Sequence, residues 1–146
     1  MLIYLDMCCL KRPFDDQSQL RIKLETEAAL GLLGAESDSV RLVRSSALVL
    51  ENSRNPIASR AARVALWLRG GPRPQQDMVV LEQRTAELMA MGFRNFDALH
   101  VASAESVGAD VLATCDDQFL ATGRRSQDKM RVRVVGVVEL AREVLR

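Results

Sequence analysis

Four carboxylates occupy positions from which an α/β fold could bring them together. Asp6 and Asp116 each directly follow an apolar, strand-like run, whereas Glu51 and Asp97 lie in helical segments. Carboxylates that converge repel one another and raise each other's pKa, and a hard divalent cation such as Mg²⁺ or Mn²⁺ removes that penalty. A cation held in this way can polarise a phosphodiester and generate hydroxide from bound water. Asp6, Glu51, Asp97 and Asp116 are therefore candidates for a shared metal site, with Asp6, Asp97 and Asp116 as candidate ligands.

A simpler reading exists for each of these residues taken alone. The chain has 19 acidic residues, and most acidic residues are solvated surface groups. Asp97 would also fit an ordinary negative charge in the first turn of a helix, where it complements the helix dipole. The residues alone leave both interpretations open.

Further polar residues stand next to the acidic segments. Thr114 is expected to hydrogen-bond either a carboxylate or a substrate phosphate, and Asp117 to act as an auxiliary ligand or to cap the short helix that follows it. Arg12 and Arg54 are candidates for binding substrate phosphates without reading sequence, and ordinary solvated arginines are the alternative. His100 is the only histidine, and a packing or surface role is expected for it.

The chain contains three cysteines, at positions 8, 9 and 115. An odd number with no repeated spacing is not a disulfide framework and suggests a reducing cytoplasm. No histidine lies near them in sequence, so small buried cysteines are expected rather than a thiol nucleophile.

Composition limits the possible classes of protein. The 146 residues are 48% hydrophobic and 27% charged, which is typical of one globular domain spanning residues 1–146. A formal net charge of +1 and an aromatic content of 4% do not indicate a uniformly basic surface or a stacking platform for nucleic acid. Neither a signal peptide nor a membrane span is predicted, so a cytoplasmic location is expected.

The hydrophobic pattern predicts alternating strands and helices. Pro13 prevents a helix from continuing past the first strand, Gly70-Gly71-Pro72 forces a loop, and Asn95 is expected to cap the helix that holds Asp97. This alternation predicts a three-layer α/β/α fold around a mostly parallel sheet. The predicted strands cover residues 2–5, 40–43, 109–114 and 132–135, and the predicted helices cover 17–33, 56–68, 78–91 and 137–145, with further helices around 46–51, from 95 and from 117.

Three segments of the chain resemble the motifs of the PIN domain nucleases, a family that includes the VapC-type toxins of toxin–antitoxin systems. The opening YLDMCCLKRPFDD looks like the first motif, with Asp6 at the end of a strand, and LVLENSRNP is similar to the second, with Glu51 as the match. The stretch FDALHVASAESVGADVLATCDDQF is the most specific of the three, with Asp97 opening a helix and Thr114 and Asp116 in the following turn.

The resemblance extends from residue 2 to residue 138 and implies a PIN-like fold and an endoribonuclease that uses Mg²⁺ or Mn²⁺. RNA is the implied substrate, and a small antitoxin protein and a second copy of the chain are possible partners. The chain departs from the family pattern at Cys8, where many members carry Ser, Thr or Asn. The opening is more similar to free-standing bacterial PIN proteins than to the best-known toxins.

Two other classes of function are alternatives to a nuclease. A PIN fold without catalysis, acting as a module that binds nucleic acid or protein, is the main alternative, although all four acidic positions are filled. A phosphatase of the haloacid-dehalogenase type needs an Asp where Cys8 stands, and no glycine-rich phosphate loop is present.

Overall fold

The computed structural model describes all 146 residues and has a four-stranded parallel sheet at its centre. The strands lie in the spatial order β2-β1-β3-β4, and every neighbouring pair is parallel. Helices pack around the sheet in a three-layer α/β/α arrangement, so the predicted fold class is confirmed. The strands are β1 (Leu2–Leu5), β2 (Arg41–Leu42), β3 (Val111–Thr114) and β4 (Arg133–Gly136).

Eight α-helices connect and cover the strands, with α2 packed on α8 and α5 packed on α6. None of them is long and apolar enough to cross a membrane. They are α1 (Met7–Lys11), α2 (Leu20–Gly34), α3 (Ser46–Ser53), α4 (Ala58–Leu68), α5 (Met78–Ala90), α6 (Asn95–Ser106), α7 (Asp117–Arg125) and α8 (Val137–Val144).

The two central strands are almost entirely apolar, with Thr114 at the end of β3 as the exception, because helices cover both faces of a parallel sheet. All four residues of β3 are buried, as are the last three of β1. The register pairs Leu5 with Ala113, so the residues that follow β1 and β3 lie side by side. The connection from β1 leads to β2 on one side of the sheet, and the connection from β3 leads to β4 on the other side. Where the chain direction switches in this way, a crevice opens beyond the carboxyl ends of the two central strands.

Two local expectations were wrong. Helix α1, which is followed by a 3-10 turn over Arg12–Phe14, was not predicted, because five residues are too few to show a helical period. Asn95 is the first residue of α6 and not its cap, since Arg94 holds the extended N-cap position. Gly92, with φ of +112°, ends the preceding helix in a conformation that favours glycine and turns the chain toward α6.

Helix α6 is fixed to its neighbours by a buried carboxylate. The side chain of Glu105 is 1% exposed and accepts hydrogen bonds from Arg84 Nε at 2.7 Å and from the backbone N–H of Arg131 at 2.6 Å. Arg84 also donates to the carbonyl of Lys129. One guanidinium therefore links α5, α6 and the segment that leads into β4.

Replacing Arg84 with Met should lower the free energy of unfolding by about 3–5 kcal/mol, because it leaves the buried Glu105 without a counter-charge. Urea denaturation measures the change. Arg124→Ala is the matched control, since the pair between Arg124 and Glu139 is 64% and 50% exposed and should contribute no more than about 0.5 kcal/mol. Equal effects of the two substitutions would contradict the anchoring role of Arg84.

Candidate metal centre

Asp6 lies where β1 ends against β3. Its backbone N–H donates to the carbonyl of Ala113 at 2.9 Å, which continues the strand pairing by one residue. The carboxylate turns back over the chain: Oδ1 accepts from the N–H of Met7 at 2.8 Å and Oδ2 from the hydroxyl of Thr114 at 2.9 Å. The thiol of Cys8 also donates to Oδ2 at 3.2 Å. Asp6 is thereby fixed in one orientation as the cap of α1.

Burial makes the ionised form of Asp6 costly. Desolvation raises the pKa of Asp6 well above its ordinary value, nearby Cys8 and Glu51 raise it further, and His100 acts against them. A buried carboxyl of this kind gains from a cation placed beside it, because the cation offsets the lost hydration.

Helix α6 presents a stripe of three charged or titratable residues at a spacing of three: Arg94, Asp97 and His100. Residues at this spacing lie on one face of a helix. The stripe begins with an exposed arginine outside the first turn and ends with a fully buried histidine. It connects all four predicted carboxylates through its two basic members.

His100 connects Glu51 to Asp6. Its Nε2 lies 2.6 Å from Glu51 Oε1 and 3.8 Å from Asp6 Oδ1. Its Nδ1 lies 2.7 Å from the hydroxyl of Tyr4, and the same hydroxyl lies 2.7 Å from Ser45 Oγ. Burial lowers the pKa of His100, but the hydrogen bond to Glu51 and the charges of the neighbouring carboxylates outweigh it, so the pKa is raised. A protonated ring donates at both nitrogens.

Glu51 is positioned by α3, which Ser45 caps. The Ser45 hydroxyl accepts from the N–H of Leu48 at 3.2 Å, as an N-cap does, and also contacts Tyr4. The start of the helix and the orientation of the histidine ring therefore depend on the same hydroxyl. Glu51 itself is 24% exposed, so one side of its carboxylate faces solvent.

Arg94 connects Asp97 to Asp116. Its Nε lies 3.1 Å from Asp97 and its other end donates to Asp116 Oδ2. Asp116 also caps α7, since its Oδ1 accepts from the N–H groups of Gln118 and Phe119 at 2.8 and 3.0 Å. Desolvation opposes ionisation of Asp116, but these backbone donors and Arg94 outweigh it and its pKa is lowered. Desolvation dominates at Asp97, whose pKa is raised despite Arg94.

Three of the remaining predicted residues form no hydrogen bond or ion pair with the four carboxylates. Asp117 does not cap α7, because Asp116 does, and both of its oxygens accept from Arg21 at 2.6 and 2.9 Å. Arg12 forms ion pairs with Asp15 at 3.1 Å and with Glu25 of α2 at 3.4 Å, which occupy its guanidinium. Arg54 is exposed and its guanidinium lies 5.5 Å from the ring centroid of Phe96.

The structure thus brings the four carboxylates together as two bridged pairs. His100 joins Asp6 to Glu51, and Arg94 joins Asp97 to Asp116. Neither bridging residue was predicted in this role. The spacing of three between Arg94, Asp97 and His100 was a signal in the sequence that would have placed them on one face.

The donors of the first pair fit a divalent cation. Single ligand atoms of Asp6, Glu51 and His100 all lie within 4.8 Å of one another. Carboxylate oxygens suit Mg²⁺ and Mn²⁺, and an imidazole nitrogen is a further donor for transition metals. Asp6 and Glu51 would face such a cation from β1 and α3, whereas Asp97 lies on α6 and Asp116 at the N-cap of α7.

Replacing Tyr4 with Phe should destabilise the protein by about 1–3 kcal/mol, because it removes the buried hydroxyl that contacts both Ser45 Oγ and His100 Nδ1 and leaves that ring nitrogen without a partner. Chemical denaturation measures the loss. A loss below about 0.5 kcal/mol would mean that the phenolic hydroxyl does not orient the histidine.

Asp97→Asn and Asp116→Asn should change stability in opposite directions in EDTA at neutral pH. The pKa of Asp97 is raised in the folded state, so its carboxyl stabilises the fold only in acid. That stability is lost as pH rises through the folded pKa, and Asn should therefore raise Tm at neutral pH. The folded pKa of Asp116 is lowered, so its ionised form stabilises the fold above about pH 3.8 and Asn should lower Tm.

Thermal melts at neutral pH and over an acid series measure both effects. The effect of Asp97→Asn should disappear as pH falls through the raised folded pKa to about 3.8, and the effect of Asp116→Asn should disappear only at lower pH, as the lowered folded pKa is passed. A lower Tm for Asp97→Asn at neutral pH would show that its ion pair with Arg94 outweighs the cost of desolvation.

Comparison with known proteins found no match to any family model, to any curated protein or to any solved structure. The function of this chain is therefore inferred from its own residues and geometry.

Proposed function

We propose that this protein is a divalent-metal-dependent endoribonuclease that acts through Asp6, Glu51, Asp97 and Asp116. The observation that supports this most strongly is the buried carboxylate of Asp6 at the carboxyl end of β1, with ligand atoms of Glu51 and His100 within 4.8 Å of it. Asp97 and Asp116 form a second pair, which Arg94 bridges. Burying a carboxylate beside other carboxylates costs stability, and proteins commonly accept such costs at functional sites.

The carboxylates have two kinds of role in the proposal. Asp6, Asp97 and Asp116 would hold Mg²⁺ or Mn²⁺ directly or through water, and Glu51 would complete the shell or orient the attacking water. When bound, the cation would supply a more acidic water and charge stabilisation at the phosphodiester. Thr114 fixes the orientation of Asp6 by its hydrogen bond, and His100 does the same for Glu51.

The surface beside the stripe is suited to a nucleic-acid strand. A groove of about 490 Å³ runs along α5 and α6 and carries Arg54 and Phe96 on its wall. A guanidinium can contact a phosphate, and an aromatic face can stack on an unpaired base. Phe96 also lies against His100, with ring centroids 6.2 Å apart, so a base on this wall would be next to the carboxylates.

The choice of RNA as substrate follows the motif resemblance of the Asp6, Glu51 and Asp97 segments. A role as the toxin of a toxin–antitoxin pair belongs to the same proposal. A small gene that overlaps the upstream end of this reading frame would favour that role, and its absence would favour a free-standing RNA-processing enzyme.

One observation favours a second candidate, a binding module without catalysis. Arg94 and His100 already provide positive partners for the four carboxylates, so the cluster is partly neutralised without a metal. In that case Mg²⁺ would not change Tm. In the proposed nuclease Mg²⁺ raises Tm, because a ligand that binds only the folded state stabilises it.

Cleavage of single-stranded RNA should require Mg²⁺ or Mn²⁺ and stop on addition of EDTA. Asp6→Asn should lower the rate at least about 100-fold, which corresponds to about 2.7 kcal/mol in the barrier, because it removes a charge that the cation needs. Asp38→Asn is the matched control, since Asp38 is exposed and lies outside the cluster. Gel assays of cleavage rate measure both variants.

Cys8→Ser tests the competing thiol mechanism in the same assay. A serine hydroxyl can still donate to Asp6, so the rate should stay within about tenfold of the parent, or about 1.4 kcal/mol. Cleavage at full rate in excess EDTA, or loss of cleavage in a folded Cys8→Ser variant, would contradict metal-dependent catalysis by the carboxylates.

A further inference from the structure

The three cysteines of the chain lie close together, although Cys115 is more than 100 residues from Cys8 and Cys9 in the sequence. Their sulfur atoms all lie within 4.8 Å of one another, and the sulfurs of Cys9 and Cys115 are 3.7 Å apart. Cys8 and Cys9 follow β1, and Cys115 follows the adjacent strand β3. The cysteines are Cys8, which is half-buried, and Cys9 and Cys115, which are buried.

We propose that Cys8, Cys9 and Cys115 form a binding site for a thiophilic divalent cation of the Zn²⁺ class. This site is separate from the carboxylate centre in the type of ligand that it offers. Three thiolates select soft or borderline cations such as Zn²⁺ and Cd²⁺, whereas carboxylate oxygens select Mg²⁺ and Mn²⁺.

The spacing of the sulfurs fits such a cation. Zn–S bonds of about 2.3 Å place two sulfurs of one coordination sphere about 3.8–4.0 Å apart in tetrahedral or trigonal geometry. The observed 3.7 Å between Cys9 and Cys115 is close to this separation. Thiols that only fill core volume are not expected to place three sulfurs within 4.8 Å of one another.

The charges around the cluster favour a divalent ion. Binding deprotonates the three thiols, so three negative charges and a +2 cation leave a formal charge of −1. The guanidinium of Arg12 supplies one positive charge near this cluster, and its ion pairs with Asp15 and Glu25 hold it there.

Backbone and side-chain contacts hold the sulfurs in place. The N–H of Cys115 donates to Cys8 Sγ at 3.1 Å, and the thiol of Cys9 donates to the carbonyl of Ala113 at 3.4 Å. Cys8 supplies a path from solvent, because it is the half-buried member. A cation bound here would cross-link the ends of β1 and β3 and stabilise the folded state by mass action.

Titration of Cd²⁺ into the reduced full-length chain tests the proposal, with excess Mg²⁺ present to occupy carboxylates. Thiolate-to-metal charge-transfer absorption reports only on sulfur ligands, and these three cysteines are the only ones in the chain. The absorption should saturate at one equivalent, and Tm should rise with it. Zn²⁺ added afterwards should compete for the same site.

Cys8→Ser should reduce the absorption and weaken binding without unfolding the chain, because its half-buried position beside Asp6 and Thr114 accepts a hydroxyl. Cys115→Ser should do the same, with circular dichroism confirming the fold. Asp97→Asn lies outside the cluster and should bind Cd²⁺ as the parent does while losing RNA cleavage, so this test is independent of the proposed nuclease.

Absence of the charge-transfer band in the parent would overturn the proposal. So would a band of unchanged intensity and affinity in folded Cys8→Ser, or a purified chain in which two of the three thiols form a disulfide that persists under mild reduction.

Discussion

Pairing of β1 with β3 determines where both candidate sites lie. The register places Leu5 beside Ala113, and one further backbone hydrogen bond extends the pairing to Asp6. Everything that follows the two strands is then brought to one edge of the sheet. Asp6 and Asp116 and the three cysteines all follow these two strands, and the thiol of Cys8 donates to Asp6.

Helix α6 completes the carboxylate centre from outside the sheet. Its two basic residues hydrogen-bond Glu51, Asp97 and Asp116, and His100 also lies 3.8 Å from Asp6. That arrangement moderates repulsion among the four acidic groups and allows the chain to fold before any cation binds. To bind the carboxylate oxygens, a metal would have to displace Arg94 or His100 from them.

The elements of the fold were largely predictable from the sequence because their signals are local. Apolar runs of four residues predicted β1 and β3, and glycine and proline breaks predicted the ends of the longer helices. Helix α1 was missed because Met7–Lys11 is too short to show a period, and the cap of α7 was assigned to Asp117 when the adjacent Asp116 has the extended backbone that a cap requires.

The contacts within the site were less predictable because they join residues that are far apart in the chain. The hydrogen bond between His100 and Glu51 spans 49 residues, and that between Thr114 and Asp6 spans 108. A solitary histidine in an apolar helix is commonly a packing residue, and nothing local distinguishes it from a bridge between carboxylates. The sulfur cluster was missed for the same reason, since Cys115 is 106 residues from Cys9.

The central claim is that the carboxylates bind a hard divalent cation, and titration of Mn²⁺ followed by electron paramagnetic resonance tests it directly. Mn²⁺ prefers oxygen ligands, so the signal of the free ion reports on the carboxylate centre rather than on the thiols. We expect the parent chain and Asp38→Asn to remove free Mn²⁺ from solution up to a fixed stoichiometry, and the double variant Asp6→Asn/Asp97→Asn to leave it free. Equal Mn²⁺ binding by the parent and the double variant, or none by the parent, would contradict the account.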